Sequence, residues 1–207
     1  YIPHFLSLQC IIHREHLIAK YFKYENVWKI VLKIVNLIRT NAKTHRQFKN
    51  FLEELRLNDE TDELPNDVSL WCIVRWLSTY NVLDRFVELL NPIIIFTKEK
   101  GIAYPELENE TWLSDLMFLT DIMEHLQILN LALQGKEKII IDLSQTLFSF
   151  EAKLRLFVND LRSKIFNHFP RIKANKIDIT EEKVNEYSEK LEELQADFKC
   201  RFEDLKS

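Results

Sequence analysis

The stretch LQCIIHREHL, residues 8–17, brings together three side chains able to bind metal. Cys10 and His13 are separated by two residues, as zinc-ligand pairs are, and His16 follows three residues later. A structural zinc site is closed by four Cys or His ligands. No second pair follows: Cys72 and Cys200 are isolated, and no two histidines have the three- to five-residue gap of a zinc finger. The expectation is therefore no structural zinc and no cofactor. Cys10 then ends a short buried strand, FLSLQC, and His13 sits at a strand-to-helix corner. Nucleophilic catalysis would need a base and an orienting group beside Cys10 or a serine. There is no G-x-S-x-G motif and no glycine-rich phosphate loop, and the paired carboxylates read as helix-surface charges. No complete catalytic set is present.

A second constellation is VRWLS, residues 74–78, which puts Arg75 beside Trp76 just before a helix start. Arginine binds phosphate through two parallel hydrogen bonds, and tryptophan stacks on an unpaired base. The alternative places Trp76 in the core with Arg75 at the surface. Charge is unevenly spread around these residues. Residues 14–56 hold ten Lys or Arg and four acids, a net +6, within a chain whose total is −4. From Thr180 onward nine acids face five bases. A basic N-terminal third suits phosphate, although a solvated helix face has the same composition.

The elements that position these residues are predicted to be helices. Glycine occurs twice in 207 residues, too rarely for folds built on tight hairpins. ENVWKIVLKIVNLIRTNA places Val27, Ile30, Val31, Ile34, Val35 and Ile38 on one face at helical spacing. The next helix, capped by Thr44, carries Phe48, Phe51, Leu52 and Leu55. An acidic loop follows at 58–67, and 68–76 leans toward strand. Ser78 caps a helix with Val82, Leu83, Phe86, Leu89 and Leu90, which Pro92 kinks or ends. Thr111 caps a long helix that stops at Gly135. Ile139, Leu143, Leu147, Phe150, Leu154, Phe157 and Leu161 then mark a helix that Pro170 closes. A linker at 171–178 leads to a last helix from Thr180, with Val184, Tyr187, Leu191, Leu194, Phe198, Phe202 and Leu205 on one side. The fold class expected is mainly α, with short strands near 5–10 and 70–76. Three widely spaced cysteines suit a reducing intracellular compartment. No run of about 18 apolar residues announces a membrane span, and no signal peptide is evident. The first residue is Tyr, so the chain reads as part of something longer.

The order of these motifs carries a resemblance. CIIHREHLIAK, VWKIVLKIVNLIRTNAKTHRQFKNFLEEL, VRWLSTYNVLDRF, WLSDLMFLTDIMEHLQILNLALQGKEKIIIDL, FEAKLRLFVNDL and LEELQADFKCRFEDL follow one another across residues 5–206. The run resembles the middle of transposase-derived proteins of the hAT superfamily. It is most similar to the animal branch with the general transcription factor II-I repeat domain and BED-type zinc-finger proteins. The resemblance implies an RNase H-like core that holds two metal ions with Asp, Asp and Glu, interrupted by a large all-helical insertion. Residues 1–23 would then be the edge of that core, ending in a remnant strand and the Cys-x-x-His motif, and 24–207 the insertion. Both aspartates and the BED finger would lie upstream, and the glutamate and the dimerisation segment downstream. In the family the histidine lies near the active site, and the insertion's Arg-Trp handles the DNA end or a flipped base. His13, Arg75 and Trp76 are the matching positions, and Arg14 joins them as a nucleic-acid-binding candidate.

Two functional readings follow. One is a segment of a domesticated or degenerate transposase, catalytically inactive alone, nuclear, and binding DNA weakly through residues 14–56. The other is a helical scaffold with protein partners or self-association, no DNA role and no membrane. A two-metal nuclease acting as it stands is disfavoured, because that chemistry needs bridging carboxylates.

Overall fold

The structure is a computed structural model and describes residues 24–59, 65–68, 77–134, 140–176 and 178–202. Eight α-helices and one 3-10 turn are seen among them: α1 Glu25–Arg39, α2 Ala42–Asp59, α3 Leu77–Glu88, α4 Leu90–Glu99, the turn Pro105–Glu108, α5 Glu110–Leu133, α6 Ile140–Arg162, α7 Pro170–Asn175 and α8 Glu181–Phe202. The mainly helical expectation holds, and no strand occurs among the described residues. The strands expected near 5–10 and 70–76 lie outside them.

The chain divides into two compact units, Tyr24–Thr120 and, C-terminal to it, the unit containing Asp121–Ser207. In the N-terminal unit α1 packs on α2, while α2 and α3 each pack on α4. The α1 stripe is buried as its periodicity predicts, at Val27, Val31, Ile34, Val35 and Ile38. Phe48 of α2 meets Phe96 of α4 edge to face at 5.0 Å, an arrangement that aligns the ring edge with the partner's electron-rich face. In the C-terminal unit α6 and α8 pack along their lengths. Leu143, Leu147, Phe150, Leu154, Phe157 and Leu161 of α6 are buried, as are Val184, Tyr187, Leu191, Leu194, Phe198 and Phe202 of α8. Helix α5 gives its residues up to Thr120 to one unit and those from Asp121 to the other. It is long and apolar enough to cross a membrane by length and composition, but most of that window is buried inside the protein, as in a core helix.

Several helix ends differ from the sequence expectation. The cap of α2 is Asn41, whose Oδ1 accepts from the N–H groups of Lys43 and Thr44 at 2.9 and 3.3 Å, so Thr44 lies inside the helix. Asn109 likewise replaces Thr111 at the start of α5, accepting from the Trp112 N–H at 2.9 Å. Asparagine reaches orphan N–H groups at least as well as threonine does. Thr180 caps α8 as expected, through Lys183 N–H at 3.3 Å. The break between α3 and α4 falls at Leu89, and Pro92 sits in the first turn of α4, where its missing N–H costs nothing. Gly135 lies outside the described residues.

The end of α6 is the largest departure. The helix stops at Arg162, not at Pro170, and Pro170 opens α7 in what was expected to be linker. Ile165 N–H donates to the Asp160 carbonyl and Lys164 N–H to that of Leu161, while Lys164 adopts φ 53°. This is a Schellman stop, with lysine at the left-handed position that glycine usually fills. Nothing in the local residue types announces it.

Candidate functional site

The sequence-designated residues His13, Arg14, Arg75 and Trp76 lie outside the described residues, as do Cys10 and His16. Among the described residues no three His, Cys, Asp or Glu side chains gather as a metal ion would require.

The basic segment is described from Tyr24 onward. Lys29 and Lys33 on α1, and Lys43, Arg46 and Lys49 on α2, are exposed, and none has an ion pair among the described residues. Residues 42–52 contain no acid, so the first half of α2 presents a continuous positive face. Lys100, at the end of α4, donates to Gln47 Oε1 at 2.6 Å and lies over the Phe96 ring, which adds a further cation beside this face. Arg39 is differently employed. Its Nη1 donates to Asp67 Oδ2 at 2.9 Å and to the Val68 carbonyl at 2.6 Å, and His45 Nε2 meets the same Oδ2 at 2.6 Å. These bonds fasten residues 67 and 68 to the ends of α1 and α2, so Arg39 is a structural cation.

A second constellation occupies the C-terminal unit. Asp121 of α5 is fully buried. Arg171 Nη1 donates to Asp121 Oδ1 at 2.9 Å and to Glu124 Oε2 at 2.7 Å. The backbone N–H groups of Arg171 and Ile172 also point at the Asp121 carboxylate, at 3.2 and 3.4 Å from Oδ2, and so cap α7 from fifty residues away. Burial pushes the Asp121 carboxyl up to about 6, against the opposing pull of Arg171.

One turn along α5, His125 Nε2 bonds the His168 carbonyl at 2.8 Å. A carbonyl only accepts, so Nε2 carries the hydrogen. The ring stacks on Phe157 with centroids 4.4 Å apart, and burial lowers its pKa. His168 is held in turn by Asp160, whose Oδ2 accepts from its backbone N–H at 2.7 Å and lies 3.1 Å from its Nδ1. These groups clamp the 163–169 turn onto α5 and α6. His125 also borders an open groove of about 560 Å³, with Ile128 and Leu129 on α5 and Asp142, Phe150 and Lys153 on α6. This constellation is not legible in the sequence because the contacts from α5 to the turn and to α7 join residues 43 to 51 positions apart. A signal did exist: Asp121 falls inside a long, largely apolar helix, and a buried acid requires a partner.

Comparison with known proteins places the chain in a family. The FAM200/GTF2IRD2 helical domain, the domain of a FAM200-GTF2IRD2-like family, matches residues 9–162. General transcription factor II-I repeat domain-containing protein 2 of Bos taurus is 33% identical over 200 residues, 97% of this chain and 20% of that protein. Its Mus musculus counterpart is 33% identical over 201 residues, 97% of this chain and 21% of that protein. The chain thus spans about a fifth of the length of these curated relatives. No solved structure matches it significantly. With the match covering most of the chain, both described units included at least in part, the chain belongs to the FAM200/GTF2IRD2-like helical-domain family.

Proposed function

We infer that the chain is a non-enzymatic helical module of nuclear proteins, descended from the insertion domain of a hAT-type transposase, which contacts nucleic acid weakly and without sequence preference. The observation that carries this reading is the acid-free first half of α2, with Lys43, Arg46 and Lys49 exposed and Lys100 alongside. Such a face meets phosphates wherever they lie along a duplex, and the positive end of the α2 dipole adds to it. The nuclear setting rests on the transcription-factor names of the relatives, and the transposase origin on the ordered motifs from Cys10 to Leu205. The Asp-Asp-Glu triad of such an ancestor would lie outside this chain.

The test is a DNA titration by fluorescence anisotropy at several salt concentrations. Affinity should fall steeply with salt, because each neutralised phosphate releases counterions. The triple change Lys43→Glu, Arg46→Glu, Lys49→Glu should weaken binding and flatten the log–log salt dependence by roughly 0.9 for each phosphate no longer neutralised. The same DNA, incubated with the chain and Mg²⁺ or Mn²⁺, should remain uncut. A salt-independent affinity, or one unmoved by the triple change, would overturn the phosphate reading; metal-dependent cleavage would overturn the non-enzymatic one.

A further inference from the structure

The groove in the C-terminal unit has a floor of Leu129 and Phe150, both nearly buried, and an apolar wall at Ile128, which is 55% exposed. Leu131 on the same helix and Ile141 beside Asp142 are also exposed. Three of the seven exposed large hydrophobic side chains among the described residues therefore belong to these two short stretches. Of the three, Ile128 lines the groove, where an exposed apolar side chain beside a nearly buried apolar floor is the kind of surface that a partner covers.

The charges at the ends of the groove say which partner fits. Asp142 stands at one end of its α6 wall and Lys153 at the other, with His125 beside Lys153. Eleven residues of helix separate the two, a distance of about 16 Å. Lys153 has no ion pair among the described residues. An acid and a base at opposite ends of one wall make that wall complementary to itself once its direction is reversed.

We propose that this groove is a homodimer interface in which a second copy of the chain docks antiparallel about a two-fold axis. The axis lies in the interface and crosses the groove near its midpoint, at the level of Ile128. It sets Asp142 of one copy opposite the partner's Lys153, and Lys153 opposite the partner's Asp142. Ile128 meets the partner's Ile128 over the two apolar floors. An isologous contact of this kind closes on itself and makes a dimer, not a filament. Gln145, Thr146 and Ser149 of α6 line the groove between the two charges, so the contact is apolar along Ile128, Leu129 and Phe150, polar along the α6 wall and charged at its ends. The inference is independent of the DNA reading, which rests on the other unit.

Sedimentation equilibrium of the full chain tests it. The mass should rise with concentration toward twice the 24.9 kDa monomer and level off there. Ile128→Glu should weaken the dimer more than about tenfold. Lys153→Glu and Asp142→Lys should each weaken it about tenfold by setting like charges opposite one another. The double reversal, Asp142→Lys with Lys153→Glu, should restore it. Leu57→Glu, at an exposed leucine of the other unit, should leave association unchanged. All these side chains are exposed, and helical circular dichroism verifies that each variant folds. A chain that stays monomeric to millimolar concentration overturns the proposal, as does a dimer indifferent to Ile128→Glu. A double reversal that fails to restore association overturns the antiparallel arrangement.

Discussion

Phe157→Ala should destabilise the C-terminal unit by about 4 kcal/mol, the range expected when a fully buried phenylalanine leaves a cavity. Phe157 is 1% exposed and touches four rings: Phe150, Phe169, His125 and His168. Its loss removes apolar burial and the aromatic contacts that hold His125 against the 163–169 turn. The second effect has its own readout. In the intact protein burial holds the His125 pKa below its usual 6.5. As pH falls past 6.5 the unfolded chain takes up the proton before the folded one does, so acidification costs stability. Opening the site to water in Phe157→Ala should move the His125 pKa back up toward 6.5 and flatten that dependence. Urea denaturation gives the first quantity and an NMR titration of the His125 ring proton the second. A loss under about 1 kcal/mol, or an unmoved His125 titration, would contradict this account of the ring as the hub of the turn.

Arg171→Met should cost about 3 kcal/mol at pH 8 and much less at pH 5. Removing one partner of a buried pair strands the other's charge, which is costlier than replacing both. In the intact protein the Asp121 carboxyl has been pushed up to about 6 from an unfolded value of 3.8. Between those values the folded state holds a proton that the unfolded state has released. The contribution of Asp121 is therefore fullest below pH 3.8 and is lost as pH rises through about 6. Taking away Arg171 removes the side chain that opposes the burial shift, so the carboxyl rises further and the alkaline penalty grows. At pH 5 Asp121 is mostly protonated in both proteins, and the variant lacks hydrogen bonds to it and the partly exposed ion pair with Glu124. Chemical denaturation at the two pH values decides the matter, and a pH-independent loss would show that the pair acts by packing alone.

What could be read from the sequence was whatever repeats at short range. The 3.6-residue spacing of Leu143, Leu147, Phe150, Leu154, Phe157 and Leu161 marks a helix and its buried face together, and the facing stripe on α8 does the same. The caps were legible only by type. Threonine and asparagine compete for the same N–H groups, and at α2 and α5 it was Asn41 and Asn109 that had the reach. The stop at Arg162 was not legible, since Lys164 occupies a position where only glycine would have been a signal. Nor was the Asp121–Arg171 pair, because no local pattern joins residues fifty positions apart. The basic segment was legible as charge but not as surface: Arg39 belongs to a clamp on Asp67, whereas Lys43, Arg46 and Lys49 face water.

The shortest helix carries a consequence of its own. Six residues cannot hold themselves helical in water, because nucleation costs more than so few hydrogen bonds return. Helix α7 persists because Pro170 presets its first turn, Ile172 is buried and the Asp121 carboxylate receives its leading N–H groups. Its amides are thus protected from hydrogen exchange only while a side chain on a distant helix stays in place. When α7 separates from Asp121, those amides should exchange as one block, faster than the long helices on either side. Exchange at Ile172 and Lys173 is in that sense a local clock for how often the buried acid of α5 is laid open to solvent.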